Sequence, residues 1–560
     1  MESQLSDVLA TTPALEQICQ SLTFPELTQL WIANNRQDIP CNVEVEDADG
    51  QKYILNGVNA KTIATYPFIL ENSTHSTNAL IQAVIDDNFL AVTGLFELGF
   101  SLDQKYDQPF DYPITPLQAA AYMGNVQLLK ILIDYGGNFG PTKDDPEPNI
   151  DFNSMSPIWF AIQGNSVETV KFLLELGVSP NLLDPTDNYS LFSVVAKKNQ
   201  YIVDPDAHSG DPLSWIANSI EIIKLLLLFG GNPNYAQIIT KDGKPTIVRG
   251  YPILSAIYSP ETSKILEFLL SIGCDPNLGE DNGFGFIDYP ISAAVKTGNS
   301  KFVKILLEAN ADPNIPKEDI PLMIATENGY IDMVDELLKH KADPNALELN
   351  ALGSMNSPLS LTINRGAMTR NIESKVIIYW VIANLLLEAG ADPNYQNNFR
   401  PSFHIALEIA PPSLIRKMIQ KGANPNYRFG NEVPLSIVTR LKNSELVLEL
   451  LKHGANPNIS STSVSILSSW IKIDNLIVVR AILDAGGDPN DSTNVDDLHN
   501  LPIFVAIDND NLDAVKLLVE KGVDLTKTGF LEITLSEKLS RDRRPLIERY
   551  LKAQPSFPKQ

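Results

Sequence analysis

The sequence predicts an all-α solenoid, a row of short helix pairs in which each pair packs against its neighbours. A marker of the form Gly-Ala-Asn-Pro-Asn or Gly-Gly-Asp-Pro-Asn occurs at Gly422–Asn426, Gly454–Asn458 and Gly486–Asn490, at intervals of 32 residues. Between the markers, leucine, isoleucine and valine recur at helical spacing. Two short helices cannot bury these side chains alone, so neighbouring units must stack.

The unit around residues 434–458 shows why each element should form. Pro434 suits the first position of a helix, where its missing N–H is not needed. Asn443 or Ser444 can cap the second helix. Gly454 can adopt positive φ and end that helix, and Pro457 cannot continue it. The sequence therefore predicts helix, turn, helix and an outward loop in every unit.

The marker closes nine units and defines their irregular lengths. It ends at Asn181, Asn234, Asn277, Asn314, Asn345, Asn394, Asn426, Asn458 and Asn490. Two units at the start lack it and Gly522-Val523-Asp524 closes a last one, so we expect about twelve helix pairs. The longer intervals predict irregular loop insertions at Lys198–Asn218, Tyr235–Tyr251, Leu278–Tyr289 and Ala367–Ser374. The pattern of Tyr235–Tyr251 predicts a β-hairpin around Asp242-Gly243.

From about residue 78 to 526 the chain resembles ankyrin repeats, whose unit is about 33 residues long and whose first helix begins Thr-Pro-Leu-His. Proline stands at that place in nine units: Pro116, Pro157, Pro252, Pro290, Pro321, Pro358, Pro401, Pro434 and Pro502. The histidine is matched only by His404 in Phe403–Ala406, where Pro401 lies one place early. The resemblance implies an ankyrin-repeat solenoid whose hydrogen bonds depart from the family pattern.

Residues 1–76 do not follow the repeat and predict a small N-terminal capping region. Pro13–Leu22 and Pro25–Asn34 predict helices, while Val43–Glu46 and Lys52–Leu55 flank an Asp-Gly turn and predict a β-hairpin. We expect this region to cover the first repeat. We expect residues 77–526 to form the ankyrin-like array and residues 527–560 to form a C-terminal helical cap and tail.

Two alternatives give the ends of the chain an activity of their own. Leu22–Leu27 loosely resembles the start of an F-box, although a helix opened by proline also explains it. Cys19 or Cys41 with His75 would suit a small hydrolase. At the other end, 531–560 carries seven Lys or Arg against four Asp or Glu, so its two helices, divided near Arg544-Pro545, are either a cap or a basic docking helix.

Charge and composition predict the class of partner. A formal net charge of −25 repels phosphate backbones and anionic lipid, which argues against nucleic acid and favours a protein with a basic surface. Three cysteines without a CxxC pair favour a reducing compartment. The first residues lack a signal-peptide pattern, and the most apolar segment, Val376–Leu387, is too short to cross a bilayer. We therefore expect a soluble, cytoplasmic monomer.

Motifs for catalysis, cofactors or metals are not evident. The sequence has no phosphate loop, no His-Glu-x-x-His zinc site and no Gly-x-Ser-x-Gly turn. The six histidines are scattered, and His340 and His453 stand in the last turns of second helices, where they suit the helix dipole. Cys274 replaces a small packed residue. We therefore predict no enzyme activity in the repeats, no catalytic residue, no cofactor and no metal.

The resemblance to ankyrin repeats implies that the protein binds another protein through its concave face and loop tips. Aromatic and arginine side chains are enriched at the energetic centres of interfaces. On this basis the predicted contact residues are Tyr235, Phe284, Phe286, Tyr395, Tyr427, Arg428 and Phe429. The alternative for Tyr395 and Tyr427 is that they pack on a neighbouring turn.

Two classes of function stay open. The first is a binding scaffold, and the second is an adaptor or small hydrolase whose N-terminal region acts while the repeats choose the target. The irregular, asparagine-rich, histidine-poor units also resemble the ankyrin proteins that intracellular bacteria deliver into host cells. That resemblance implies action in the host cytoplasm on a host protein.

Overall fold

The computed structural model describes the chain in segments separated by short gaps. They are residues 24–33, 39–46, 52–70, 79–102, 114–142, 156–183, 190–196, 212–234, 238–241, 244–247, 251–259, 262–281, 287–315, 319–349, 355–395, 400–459, 465–491, 501–526 and 534–558. Two compact units are present. The first comprises Met1–Thr297 with Glu308–Ala311, and the second comprises Gly298–Leu307 with Asp312–Gln560.

The N-terminal region of the first unit contains two helices and a hairpin, α1 (Phe24–Ala33), β1 (Ile39–Glu46), β2 (Lys52–Val58) and α2 (Ala60–Leu70). The antiparallel strands and α1 confirm the predicted hairpin and second helix, whereas α2 was not predicted. The predicted helix at 13–22 lies outside the described residues. Helix α1 packs on the hairpin, and α2 packs on β2 and on the first repeat.

The repeats of the first unit are helical, with short strands between some of them. In chain order they are α3 (Ala79–Ile85), α4 (Phe89–Glu97), α5 (Pro116–Tyr122), α6 (Val126–Asp134), α7 (Pro157–Gln163), α8 (Val167–Glu175), α9 (Leu191–Ala196), α10 (Pro212–Leu228), β3 (Ile238–Lys241), β4 (Lys244–Ile247), α11 (Pro252–Tyr258), α12 (Ser263–Ser271), β5 (Glu280–Asp281), β6 (Ile287–Asp288) and α13 (Pro290–Lys296).

The second unit continues the pattern to the end of the chain. Its elements are α14 (Ser300–Glu308), α15 (Pro321–Asn328), α16 (Ile331–Lys339), β7 (Glu348–Leu349), β8 (Met355–Asn356), α17 (Pro358–Met368), α18 (Glu373–Glu388), α19 (Ser402–Ile409), α20 (Pro412–Gln420), α21 (Pro434–Arg440), α22 (Ser444–Lys452), α23 (Ile466–Lys472), α24 (Leu476–Asp484), α25 (Pro502–Asp508), α26 (Leu512–Glu520), α27 (Leu535–Asp542) and α28 (Pro545–Lys552).

Within the described residues, α3 to α26 are twenty-four successive helices, the number that the twelve predicted helix pairs require. In each unit, first helices pack on first helices and second helices on second helices of the neighbouring repeat. The core is the row of leucine, isoleucine, valine and alanine between them, most of which is fully buried. The fold class is therefore the all-α repeat solenoid.

Local signals start and end the helices where the sequence analysis places them. Pro434 is the first residue of α21, and the Asn443 side chain accepts the backbone N–H of Leu446 at the start of α22. Gly454 follows α22 at φ +84°, a conformation that glycine adopts without strain. Pro401 is the exception among the nine prolines, because it precedes α19 as its N-cap residue.

The asparagine that closes each marker ties one repeat to the next. The Asn426 amide donates to the Gly454 carbonyl at 2.9 Å, and its oxygen accepts the Asn456 N–H at 2.7 Å. The same two-way bridge is made by Asn181, Asn234, Asn314, Asn345, Asn394 and Asn458. A side chain that both donates and accepts thus satisfies two backbone groups in the marker turn of the next repeat.

Several of the predicted loop insertions contain strands or helix. The predicted hairpin at 235–251 is confirmed by the antiparallel pairing of β3 and β4. The insertion predicted at 198–218 is partly helical, since Pro212 opens the 17-residue helix α10. At 367–374 the extra residues lengthen α17 and α18 to 11 and 16 residues. Helix α10 begins at a proline, as the first helices of most other repeats do, so the same residue signal explains where it starts.

The helix pair α27 and α28 follows the last repeat, and its helices are divided at Arg543 and Arg544, near the predicted place. Helix α27 packs on α25, and α28 packs on α26. Lys538 forms an ion pair with Asp508, and Arg544 with Asp510 at 3.2 Å. Two of the basic residues of this segment therefore neutralise acids of the last repeat.

Candidate protein-binding face

The seven predicted contact residues divide into two groups. Tyr235, Phe284 and Phe286 lie outside the described residues. Tyr395, Tyr427, Arg428 and Phe429 are described, and all four belong to the second unit. They follow two successive markers, so they occupy equivalent places between one repeat and the next.

Tyr395 links its own turn to the preceding hairpin. Its hydroxyl donates a hydrogen bond to the Met355 carbonyl at 3.2 Å, and its ring is half-buried. Burial raises the pKa of this phenol above its ordinary value. The hydroxyl therefore has a structural role, in line with the packing alternative, while part of the ring stays open to solvent.

Tyr427 packs on the first helix that precedes it, α19. Its ring meets the His404 ring edge-on, with centroids 5.9 Å apart and an interplanar angle of 89°. His404 is 0% exposed. Burial lowers the pKa of His404, and the nearby Arg400 charge lowers it further. Tyr427 thus also packs on a neighbour, over a histidine that burial holds neutral.

Residues 427–433, here called the Phe429 turn, form a small hairpin. Phe429 donates its backbone N–H to the Glu432 carbonyl at 2.9 Å and accepts the Glu432 N–H at 3.0 Å. Gly430 lies at φ +58°, which glycine tolerates at a tight turn. Arg428 Nε donates to the Gly430 carbonyl at 3.1 Å. The turn presents Arg428 and the Phe429 ring, 37% exposed, to solvent.

Exposed apolar residues, which the sequence analysis missed, also occur in the preceding hairpin and just before it. In the β7–β8 hairpin, Leu349 pairs with Met355. Leu347 is 40% and Met355 39% exposed. Strands of two residues give too short a pattern to be recognised from sequence. We call Leu347, Met355, Tyr395, Tyr427, Arg428 and Phe429 the contact face.

A four-charge network lies beside this face and was also missed. Arg400 donates to both carboxylate oxygens of Glu408, at 2.8 and 2.9 Å, and to Glu432 at 2.7 Å. Arg440 donates to Glu408 at 2.6 Å and to Glu432 at 3.0 Å. Hydrogen bonding from Arg400 is the largest cause that lowers the pKa of Glu408, to about 2.

The sequence does contain a signal for this network. Arg400 and Glu432 are 32 residues apart, and so are Glu408 and Arg440, which is the local repeat period. Equivalent positions of adjacent repeats therefore carry opposite charges. A search for charge reversal at the repeat period would have found all four residues.

The reactive side chains considered in the sequence analysis have structural surroundings. Cys274 is buried, and burial raises its pKa to about 12, so the thiolate form is strongly disfavoured. The Nδ1 atoms of His340 and His453 lie 3.0 Å from the Glu336 and Glu449 carbonyls of their own helices. Among the described residues, no group of three or more His, Cys, Asp or Glu side chains has the arrangement to hold a metal ion.

Within the described part of the chain, every helix is too short or too polar to cross a membrane. Helix α18 is the most apolar long helix in the second unit, and it has 16 residues. A bilayer-spanning helix needs about 20.

A family model described as "Ankyrin repeats (3 copies)" matches residues 80–184, 253–348 and 435–529, just over half of the chain. The chain belongs to the ankyrin-repeat family. The contact face corresponds to the turns that join successive ankyrin repeats. The four-charge network joins the first helices of two of them.

Relatives with known names match only part of their own length. Transient receptor potential cation channel subfamily A member 1 from Homo sapiens is 24% identical over 336 residues, 53% of this chain and 26% of that protein. Ankyrin repeat protein nuc-2 from Neurospora crassa is 27% identical over 274 residues, 49% of this chain and 22% of that protein. The chain thus spans about a quarter of the length of these two.

Two further similarities concern ankyrin-repeat proteins. A putative ankyrin repeat protein from Rickettsia bellii is 28% identical over 151 residues, 26% of this chain and 59% of that protein. The crystal structure of the human ASB11 ankyrin repeat domain is similar with a TM-score of 0.32 at 21% identity, and covers 44% of this chain and 91% of that one.

Proposed function

We propose that this chain is a scaffold that binds another protein, and that the contact face is where it binds. The observation that carries the proposal is the row of exposed side chains on successive inter-repeat turns, from Leu347 and Met355 to Phe429. Their backbones are fixed by stacked helices, so binding costs little ordering entropy. Large apolar groups on a rigid frame are typical centres of binding energy.

Tyr235, Phe284 and Phe286 extend this proposal to the first unit. Each belongs to an insertion, and insertions between repeats occur where binding residues are tolerated. They form a second set of contact residues, which is tested separately from those of the second unit.

The acidic composition defines the kind of partner. With a net charge of −25, the protein attracts a partner that has a basic surface, and encounter rates should fall as salt rises. A monomeric scaffold is part of the same proposal, and light scattering at several concentrations tests it. A mass above 61.7 kDa would contradict it.

The decisive experiment places a photo-crosslinking amino acid at position 429 in the protein expressed in candidate host cells. The control carries it at Ile477, which is 73% exposed on the second helix α24. The proposal predicts one partner that crosslinks at 429 and not at 477. The same yield at both positions would contradict a specific face.

Side-chain truncation provides an independent test. We expect Leu347→Ser, Met355→Ser and Phe429→Ser together to weaken capture of that partner at least tenfold, about 1.4 kcal/mol or more. Ile477→Ser is the matched control. Tyr427→Ala is less informative, because it also removes packing over His404.

We propose, with the scaffold, a cytoplasmic location and action on a host protein after secretion by an intracellular bacterium. The three-cysteine composition and the irregular asparagine-rich units support this. Expression in cultured host cells, with the position-429 crosslinker, tests whether a host protein is bound.

The alternative function assigns recruiting or catalytic activity to residues 1–76. A deletion that tests it should begin the chain at Asn59, because the Asn59 side chain accepts the Lys61 and Thr62 N–H groups at the start of α2, and α2 packs on the first repeat. A scaffold keeps its partner and its cellular effect after this deletion. Loss of the effect with the partner retained would favour the adaptor.

A further inference from the structure

The Phe429 turn is held at both of its ends. On one side, the Tyr427 ring packs on the buried His404. On the other, the Glu432 carboxylate accepts hydrogen bonds from Arg400 and Arg440. Glu432 is also the residue whose backbone exchanges two hydrogen bonds with Phe429. A shift of Glu432 would therefore move Phe429 directly.

We propose that the four-charge network fixes the Phe429 turn in the conformation that binds the partner, which makes Glu408 and Arg440 positioning residues for binding. The inference rests on the proposed function, since it concerns the same contact face. Glu408 and Arg440 lie in the last turns of α19 and α21, away from the tip of the turn. They act through Glu432 and Arg400.

The network contains ion pairs within one repeat and ion pairs between adjacent repeats. Arg400 with Glu408, and Glu432 with Arg440, are pairs eight residues apart. Arg400 with Glu432, and Glu408 with Arg440, are pairs between repeats. Because the signs are reversed at equivalent positions, each charge is next to two opposite charges. The arrangement locks the turn to both neighbouring first helices.

Two of the four side chains of the network are half-buried, whereas Glu432 and Arg440 are 37% and 54% exposed. The side chains of Arg400 and Glu408 are 28% and 24% exposed. Partial burial reduces screening by water and salt, and the bidentate Arg400–Glu408 contact fixes the geometry. The Arg416–Glu445 ion pair joins second helices of the same two repeats, and Glu445 is 63% exposed. That pair is a control away from the turn.

Charge exchange tests the inference without altering net charge. The one-repeat swap, Arg400→Glu with Glu408→Arg, keeps the pairs within each repeat but places like charges against Glu432 and Arg440. The two-repeat swap adds Glu432→Arg and Arg440→Glu, and it restores all four attractions. Each repeat then carries the pair that its neighbour carries now.

The readout does not need the partner. Amide hydrogen exchange at positions 429 and 432, and the rate of trypsin cleavage after Arg428, report opening of the turn. We expect the one-repeat swap to raise both rates about tenfold and the two-repeat swap to return them to within about threefold of the original. Unchanged rates in the one-repeat swap, or no recovery in the two-repeat swap, would overturn the inference.

A milder pair of variants guards against unfolding. Arg440→Gln removes two ion pairs of the network, whereas Arg416→Gln removes the control pair. We expect faster exchange at Phe429 only for Arg440→Gln, with the circular dichroism of both variants retained. Equal exchange in the two variants would contradict a role specific to the network.

Binding separates this inference from the proposed function. If the 429 crosslinker captures a partner, the one-repeat swap should reduce capture and the two-repeat swap should restore it. Capture that is unaffected by an opened turn overturns the positioning role. If no partner crosslinks at 429 in the unaltered protein, the proposed function fails, while the exchange data still decide whether the network fixes the turn.

Discussion

The choice of amino acid in the Asx-Pro-Asn marker follows from hydrogen-bond chemistry. The first position only accepts a bond, as when Asn424 Oδ1 accepts the Asn426 N–H at 2.9 Å. Asp343 and Asp392 do the same in other repeats, so a carboxylate suffices there. The last position must also donate to the next repeat, which an ionised carboxylate cannot do. Asparagine is therefore required at that position alone.

This difference yields a prediction for two neighbouring substitutions. Asn426→Asp loses the donor to the Gly454 carbonyl and should lower the free energy of unfolding by about 1–3 kcal/mol. Asn424→Asp makes the same change in charge but keeps its acceptor, and should stay within about 0.5 kcal/mol. Urea titration of both variants measures the difference. Equal losses would contradict the bridge.

His404 predicts how stability depends on pH. Since its folded-state pKa is lowered, the unfolded chain binds a proton below about pH 6.5 that the folded chain refuses, and stability falls as pH falls. The slope is at most about 1.4 kcal/mol per pH unit. Glu408 does not interfere, because the stability from its lowered pKa is present above about 4.5 and is lost only as pH falls through about 2.

The variant His404→Phe keeps an aromatic ring in the same place and removes the titrating group. Unfolding measured from pH 7 to 5 should therefore be flatter for the variant than for the original protein. Parallel curves for the two proteins would show that other groups cause the pH dependence.

At the scale of elements, the crossing of α2 and α4 determines how the N-terminal region joins the array. Gly94 of α4 lies against Thr65 of α2, which is fully buried. A Cβ on Gly94 would approach Thr65 Oγ1 to 2.0 Å. The Lys61–Glu97 ion pair, at 2.5 Å, joins the same two helices. The close approach depends on the glycine.

Gly94→Ala tests this crossing. Alanine favours an isolated helix by about 1 kcal/mol, yet here we expect a loss of about 1–3 kcal/mol because the helices must separate. Adding Thr65→Ala should recover most of it, as both thermal unfolding and exchange in α2 would show. A stabilised Gly94→Ala protein would contradict the packing.

Helices α27 and α28 follow the last repeat and pack on its two helices. Thr526 stands at the place of the marker asparagine and donates its N–H to Asp524 at 2.9 Å, the bond that Asn426 makes to Asn424 in an earlier turn. Lys538 and Arg544 pair with acids of α25 and its following turn. Arg541, Arg543 and Arg549 remain exposed.

A truncation after Thr526 separates the cap from the docking alternative. If the pair is a cap, its loss should speed amide exchange in α25 and α26 at least tenfold, because their buried leucine, isoleucine and valine side chains become exposed. Arg541→Gln, Arg543→Gln and Arg549→Gln together should leave that exchange unchanged. If these three changes alone weaken partner capture, docking is favoured.

At the scale of the whole molecule, repetition made the fold predictable. The helix pairs follow from local signals, which are apolar periodicity, proline at helix starts and glycine at helix ends. Because these signals recur in many repeats, one irregular repeat does not change the predicted fold. Helix α2 was missed because it lies outside the repeats, so no equivalent helix elsewhere in the chain indicates it. It also contains Pro67, which disfavours a helix. The start of α10 at Pro212 was missed because the insertion hid the unit boundary.

The contact residues were less predictable than the helices. Aromatic residues after the markers indicated Tyr395 and Tyr427, but only the structure shows that one bonds to the β7–β8 hairpin and the other packs on His404. Exposure of Leu347 and Met355 depends on which neighbour covers them, and no local pattern encodes that. Phe429 is exposed in its turn, and its role in binding stays a prediction.

The sequence alone determined the class of fold, the number of repeats and the place of every marker turn, because those depend on helix propensity, capping and periodicity within a few residues. Only the tertiary structure decided which side chains share a surface. Arg400, Glu408, Glu432 and Arg440 meet because stacking superimposes residues 32 apart. Stacking brings together residues that are distant in the chain, so burial, exposure and charge pairing are set only once the neighbours are in place.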